Sequence, residues 1–95
     1  MTNTTPGGWS NFSFTLNDDA KKVYEEALKG FVGVGYTPLA VATQVVAGTN
    51  YCFLCKGVSA TSGAQQTAVK LYVYAPLPGQ GSPHISEIIN ISPAS

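Results

Sequence analysis

Apolar residues recur along this chain with two different periods, and the change from one to the other divides it into elements. Trp9 to Leu16 alternates, with Phe12, Phe14 and Leu16 on one side, which predicts a short first strand at a sheet edge. Trp9 is out of phase with that set and reads as a lid over one end of the core or, alternatively, as a residue that touches a partner. From Asn17 the period lengthens to about 3.6, and Ala20, Val23, Tyr24, Ala27, Leu28 and Phe31 fall on one stripe of an amphipathic helix. Asn17 is the expected N-cap. Asp18 and Asp19 follow in the first turn, where the helix dipole favours negative charge. The helix ends at Gly30, or continues through Phe31 to stop at Gly33 or Gly35.

Beyond the helix the period returns to two. Pro38 forbids helix and is expected to open the second strand, which runs to about Val46. One side of this strand is bulky (Leu39, Val41, Thr43, Val45) and the other is smaller (Ala40, Ala42, Gln44, Val46). That is the pattern of two-sided burial with a helix close to one face. A third strand is expected from Asn50 to about Val58, then a small polar loop from Ser59 to Gln66. Thr67 to Ala75 is the strongest strand, with Val69, Leu71 and Val73 on one face and Lys70, Tyr72 and Tyr74 on the other. A turn rich in proline and glycine follows, Pro76 to Pro83, and His84 to Ile91 closes the chain as a last strand. Sequential hairpins make a meander, and one helix can cover one of its faces. The class is therefore α+β, one amphipathic helix on an antiparallel sheet of about five strands, in a single domain spanning 1–95 with a flexible segment at 1–8.

The connection between the second and third strands is unusual for a hairpin. Gly48 supplies the positive φ of a tight reversal, and Asn50 tolerates that region, but Val46 and Ala47 are apolar where solvent-facing turns carry polar residues. An apolar tip points to a partner. Leu77 has the same character, an apolar residue held between Pro76 and Pro78, whose restricted backbones limit the entropy lost on binding.

Composition narrows the function classes. The 95 residues carry five lysines against five acidic residues, with no arginine and only 11% charged residues. This excludes the clustered positive charge on which nucleic-acid and acidic-lipid binding rest. Apolar runs fall far short of the ~20 residues of a membrane span, and residues 1–15 have no secretory signal pattern. The chain thus reads as soluble, cytoplasmic as it stands or secreted if a leader has been removed. Three N-x-Ser/Thr triplets, at Asn3, Asn11 and Asn90, carry no meaning without secretion. Cys52 and Cys55, three apart on one strand, point to opposite faces and cannot easily bridge each other within it; half-buried thiols are expected, with redox chemistry or an intermolecular disulfide as the alternative. With His84 alone, they are too few for zinc. No nucleophile and base are paired by any motif, and the acidic pairs Asp18-Asp19 and Glu25-Glu26 point about 100° apart on a helix. No catalytic function, metal or cofactor is expected.

Gln44-Val45-Val46-Ala47-Gly48 resembles the QxVxG hairpin of the cystatins, tight-binding inhibitors of papain-like cysteine peptidases, and Thr49-Asn50-Tyr51 extends the resemblance to the stefin branch. Pro6-Gly7-Gly8 before the helix and Leu77-Pro78-Gly79-Gln80 after the strongest strand stand in the matching order. The resemblance implies a cystatin-like fold without disulfides and a three-part wedge. Its parts would be Pro6, Gly7 and Gly8 in the unprimed cleft, Gln44, Val45, Val46, Ala47 and Gly48 at the first hairpin, and Leu77 with Pro78 at the second. From composition alone, residues 1–8 are a frayed terminus. The expected partner is a papain-like cysteine peptidase bound by a monomer, with a domain-swapped dimer as a second state. The competing expectation is a module on the same scaffold that binds carbohydrate or protein and inhibits nothing.

Overall fold

The computed structural model describes residues 8–31, 34–59, 63 and 65–91. Helix α1 (Asp18–Ala27) precedes four strands, β1 (Val34–Val46), β2 (Gly48–Ser59), β3 (Gln66–Ala75) and β4 (His84–Ile91). The strands pair antiparallel in chain order, so the sheet is a meander with one helix against it. No helix among the described residues is long and apolar enough to cross a membrane.

The helix begins where the periodicity changes. Asn17 has extended φ/ψ, and its Oδ1 accepts from the Ala20 amide at 2.8 Å, satisfying one of the donors that a helix start leaves open. Its exit is the earlier of the two sequence alternatives. Leu28 caps the last turn, its amide donating to the Tyr24 carbonyl at 3.1 Å, and Gly30 takes a φ of +82° that turns the chain away. Phe31 is therefore off the helix. It lies exposed against the Tyr36 ring, 6.2 Å between centroids.

The stripe of α1 lies on one face of the sheet, where Val41, Phe53, Cys55, Val69, Leu71 and Val73 are buried. Tyr24 meets Phe53 edge-on at 5.2 Å, and Tyr51 stacks on Phe53 at 5.8 Å. Tyr24 also donates to the Tyr36 carbonyl at 2.9 Å, so that its hydroxyl is satisfied inside the layer. The small side of β1 faces the other way. Ala40 and Ala42, with Cys52, are buried on the face opposite the helix.

Two expectations need correction. The sheet has four strands rather than about five, because the segment from Trp9 to Leu16 is not a regular strand. It touches β1 through two isolated bridges only, Trp9 with Gln44 and Ser13 with Val41, whose registers differ by one residue. The cause is serine. Ser10 Oγ accepts from the Thr43 amide at 3.0 Å, a bond that a regular ladder would give to a carbonyl, and Ser13 Oγ closes a local turn with Thr15. Phe12 and Phe14 consequently stay exposed while Leu16 alone reaches the core.

The second correction concerns Pro38, which lies inside β1 rather than at its start. The register shifts between Pro38 and Ala40, leaving Leu39 as the extra residue of a bulge. A bulge is one of the places where a strand tolerates proline. Leu39, assigned to the bulky side, is exposed there.

Candidate functional site

β1 and β2 pair to the end of their hairpin, Val46 opposite Gly48, leaving Ala47 alone at the tip. Gly48 has a φ of +105° and is buried. A Cβ at that position would lie 2.6 Å from the Ala75 carbonyl oxygen, 2.9 Å from the Tyr74 hydroxyl and 3.2 Å from the Pro76 Cα. Position 48 therefore admits only glycine on two counts, the backbone angle and the space. The same contacts bring the first hairpin against the residues that open the second loop. Tyr74 completes the junction by donating its hydroxyl hydrogen bond to the Ala47 carbonyl.

The second loop is built by its prolines and glycines. The Gln80 amide donates to the Leu77 carbonyl at 2.9 Å, with Pro78 and Gly79 at the two central positions and Gly79 at φ +81°. A turn that needs positive φ at its third residue has this signature. Leu77 is left 50% exposed at one end of it, and on the first hairpin Val45 and Val46 are 57% and 42% exposed. Strand alternation sends Val45 toward the helix side and Val46 toward the other. The result is an uncovered apolar rim around the two loops at one end of the sheet.

Beneath the loops a row of side chains crosses all four strands on the face away from the helix. The pairs are Gln44 with Asn50, Asn50 with Tyr74, and Tyr74 with His84, and the Trp9 bridge to Gln44 extends the row to the N-terminal segment. Asn50 Nδ2 donates to Gln44 Oε1 at 2.8 Å. His84 meets the Tyr74 ring edge-on at 5.7 Å, and its Nδ1 lies 3.2 Å from the Ser82 carbonyl, inside the second loop. Both hairpin loops singled out in the sequence thus rest on this row or are flanked by it.

Of the sequence-predicted site residues, the structure brings together Gln44, Val45, Val46, Ala47, Gly48, Leu77 and Pro78 at that end. Gly8 is half-buried next to Trp9, whose bridge to Gln44 holds it beside the first hairpin. Pro6 and Gly7 lie outside the described residues. Tyr74 was missed. Its only sequence signal was a place on the polar side of the strongest strand, one residue before the second loop.

Trp9 packs edge-on against Tyr72 at 5.8 Å and, with Phe12, walls a cavity of about 160 Å³ on the same face. Ala42, Cys52 and Lys70 line the rest, with the Lys70 ammonium 5.7 Å over the Tyr72 ring. The two cysteines lie on opposite faces and are free, but both are fully buried rather than half-buried. Burial, followed by the neighbouring Cys52, pushes the Cys55 thiol up to about 12. Burial also raises Cys52, against a Tyr72 hydrogen bond and the Lys70 charge. Raised thiols are poor nucleophiles, since the thiolate is the reactive form. No group of three or more His, Cys, Asp or Glu side chains that could hold a metal ion occurs among the described residues. Comparison with protein-family models, with curated proteins and with solved structures found no match.

Proposed function

We propose that this chain is a reversible, tight-binding inhibitor of papain-like cysteine peptidases, of the stefin-like, disulfide-free kind within the cystatin superfamily. The observation that carries the reading is the junction of the two loops. The Gln44-Val45-Val46-Ala47-Gly48 tip rests on Ala75 and Pro76, so the apolar rim of exposed Val45, Val46 and Leu77 is carried by two loops that are in contact at their bases. The helix on a meander supports the same reading, with the twice-bridged N-terminal segment running along β1 where a first strand is implied.

In this mechanism the rim fills the catalytic cleft. Val45 to Gly48 and Leu77-Pro78 enter as apolar and backbone surface, and the Pro6-Gly7-Gly8 segment lies in the unprimed side, where the absence of Cβ atoms lets the backbone pass close to the cleft wall. No peptide bond is presented for cleavage and the peptidase cysteine stays unmodified. Residues 44–48 and 76–83 contain no charged side chain, so inhibition is only weakly sensitive to salt.

Titration of papain tests the reading: stoichiometric, reversible loss of peptidase activity supports it, and full activity at micromolar protein removes it. Val46→Asp puts a charge where the cleft offers only apolar surface. Inhibition should fall at least 100-fold with the urea midpoint little changed, since Val46 is exposed in the free protein. A second reading is favoured by the cavity walled by Trp9 and Phe12, whose aromatic rings could receive a sugar. It is a carbohydrate-binding module on the same scaffold. Quenching or enhancement of the fluorescence of Trp9, the only tryptophan, by oligosaccharides together with an uninhibited papain would select it.

A further inference from the structure

We propose that Tyr74 is a positioning residue that fastens the tip of the first hairpin to the base of the second loop, making the two a single rigid contact surface. Its functional consequence rests on the inhibitor reading; the fastening itself does not.

A hairpin ending in Val46-Ala47-Gly48 has little of its own to hold it. No polar side chain within it caps the tip, and Val45, Val46 and Ala47 are all exposed. The restraint comes from β3. The Tyr74 hydroxyl donates to the carbonyl of Ala47, 27 residues away, at the one residue of the tip that has no cross-strand partner. The same oxygen would be 2.9 Å from a Cβ at position 48, so the tip rests on the phenol as well as bonding to it. The ring is held on its other side by His84, edge-on at 5.7 Å, and His84 in turn lies against the Ser82 carbonyl of the second loop. A single side chain therefore meets the first loop through its hydroxyl and, through the His84 ring, is linked to one side of the second loop. Its own backbone leads into the other side at Ala75 and Pro76. Holding an exposed apolar tip in its bound geometry before docking reduces the entropy that association must overcome.

Tyr74→Phe tests this, because it keeps the ring and its contact with His84 and removes only the bond to Ala47. Amide hydrogen exchange in the free protein should rise about five- to tenfold at Gly48 and Thr49, the scale of one lost hydrogen bond. The urea midpoint should fall by no more than that same factor in the unfolding equilibrium accounts for, and amides of β3 away from the tip that exchange by local fluctuation should stay near wild type. The inhibition constant against papain should rise by a similar factor. Unchanged exchange at Gly48 and Thr49 overturns the fastening, as does an increase spread evenly over the sheet, which would mean general loosening. If wild-type protein does not inhibit papain, the inhibitor reading fails while the exchange measurement still decides the role of Tyr74. If wild type inhibits and the variant gains local exchange without losing affinity, the coupling to inhibition is overturned.

Discussion

A methyl group added at position 48 cannot be accommodated by rotating a side chain, because two of the three atoms it would meet belong to the backbone of the chain leaving β3. Gly48→Ala also forces an L-residue to a φ of +105°, which alone costs about 1–2 kcal/mol. Together these should lower stability by about 2–4 kcal/mol, read as a drop in the urea midpoint. On the proposed inhibitor function they should also weaken peptidase inhibition by more than tenfold, because relief comes only by moving the tip off Tyr74 and Pro76. A variant as stable as wild type would show that the two loops are not in contact. Half of this was legible in the sequence. A glycine at the end of an apolar run, just before Thr-Asn, announces positive φ, but nothing within residues 44–51 announces that Ala75 lies against it. Contacts between positions 27 residues apart depend on strand register, which periodicity leaves free until the bulges are known.

At the scale of elements, α1 was readable because its signals are local. The N-cap, the acidic first turn and the apolar stripe all lie within twelve residues, and each acts through the helix's own backbone. Asn17→Ala removes the acceptor for the Ala20 amide and should cost about 1 kcal/mol, lowering the melting temperature of a domain of this size by about 4–8 °C. Inhibition of papain at 25 °C should be unchanged, since α1 is not among the elements that carry the loops; a parallel loss of inhibition would place the helix in the contact surface. The N-terminal segment and β1 were harder for the opposite reason. Phe12, Phe14 and Leu16 alternate as a strand should, yet Ser10 and Ser13 take backbone hydrogen bonds onto their own hydroxyls and break the ladder. In β1, Pro38 reads as a boundary, and only the register shift beside it lets the strand begin four residues earlier, at Val34. The bulge also explains how Tyr36 and Val41, of opposite parity, both pack toward the helix.

The whole molecule combines a core that excludes charge with a hairpin that must stay folded back, and each sets a measurable limit. Cys52, Cys55, Tyr24 and Tyr51 are all raised by burial, Cys55 to about 12 from an ordinary value of 9.0. Above pH 9 the unfolded chain releases its thiol protons first, so stability is fully present below about 9 and is lost as pH climbs toward 12. Urea midpoints should be flat on this account from pH 7 to 8.5 and fall beyond 9. Replacing both cysteines with alanine should move that onset up to the tyrosine range near 10. The hairpin sets the second limit. Val45 and Val46 are β-branched and prefer extended geometry, so a chain that straightens through 46–48 can send α1 and β1 onto β2–β4 of a second copy. Nearly every contact would be remade between the copies; what is lost is the tip itself, with its bond from Tyr74 to Ala47. Because β1 must first leave β2 along its whole length and α1 must leave the sheet face that holds the core, exchange needs near-complete unfolding. Protein at rest should therefore remain monomeric, and protein held near its melting midpoint at high concentration and then cooled should elute partly as a dimer that no longer inhibits papain. Tyr74→Phe should increase the dimer fraction, whereas a dimer that inhibits as well as the monomer would show that the hairpin tip is not the part that enters the cleft.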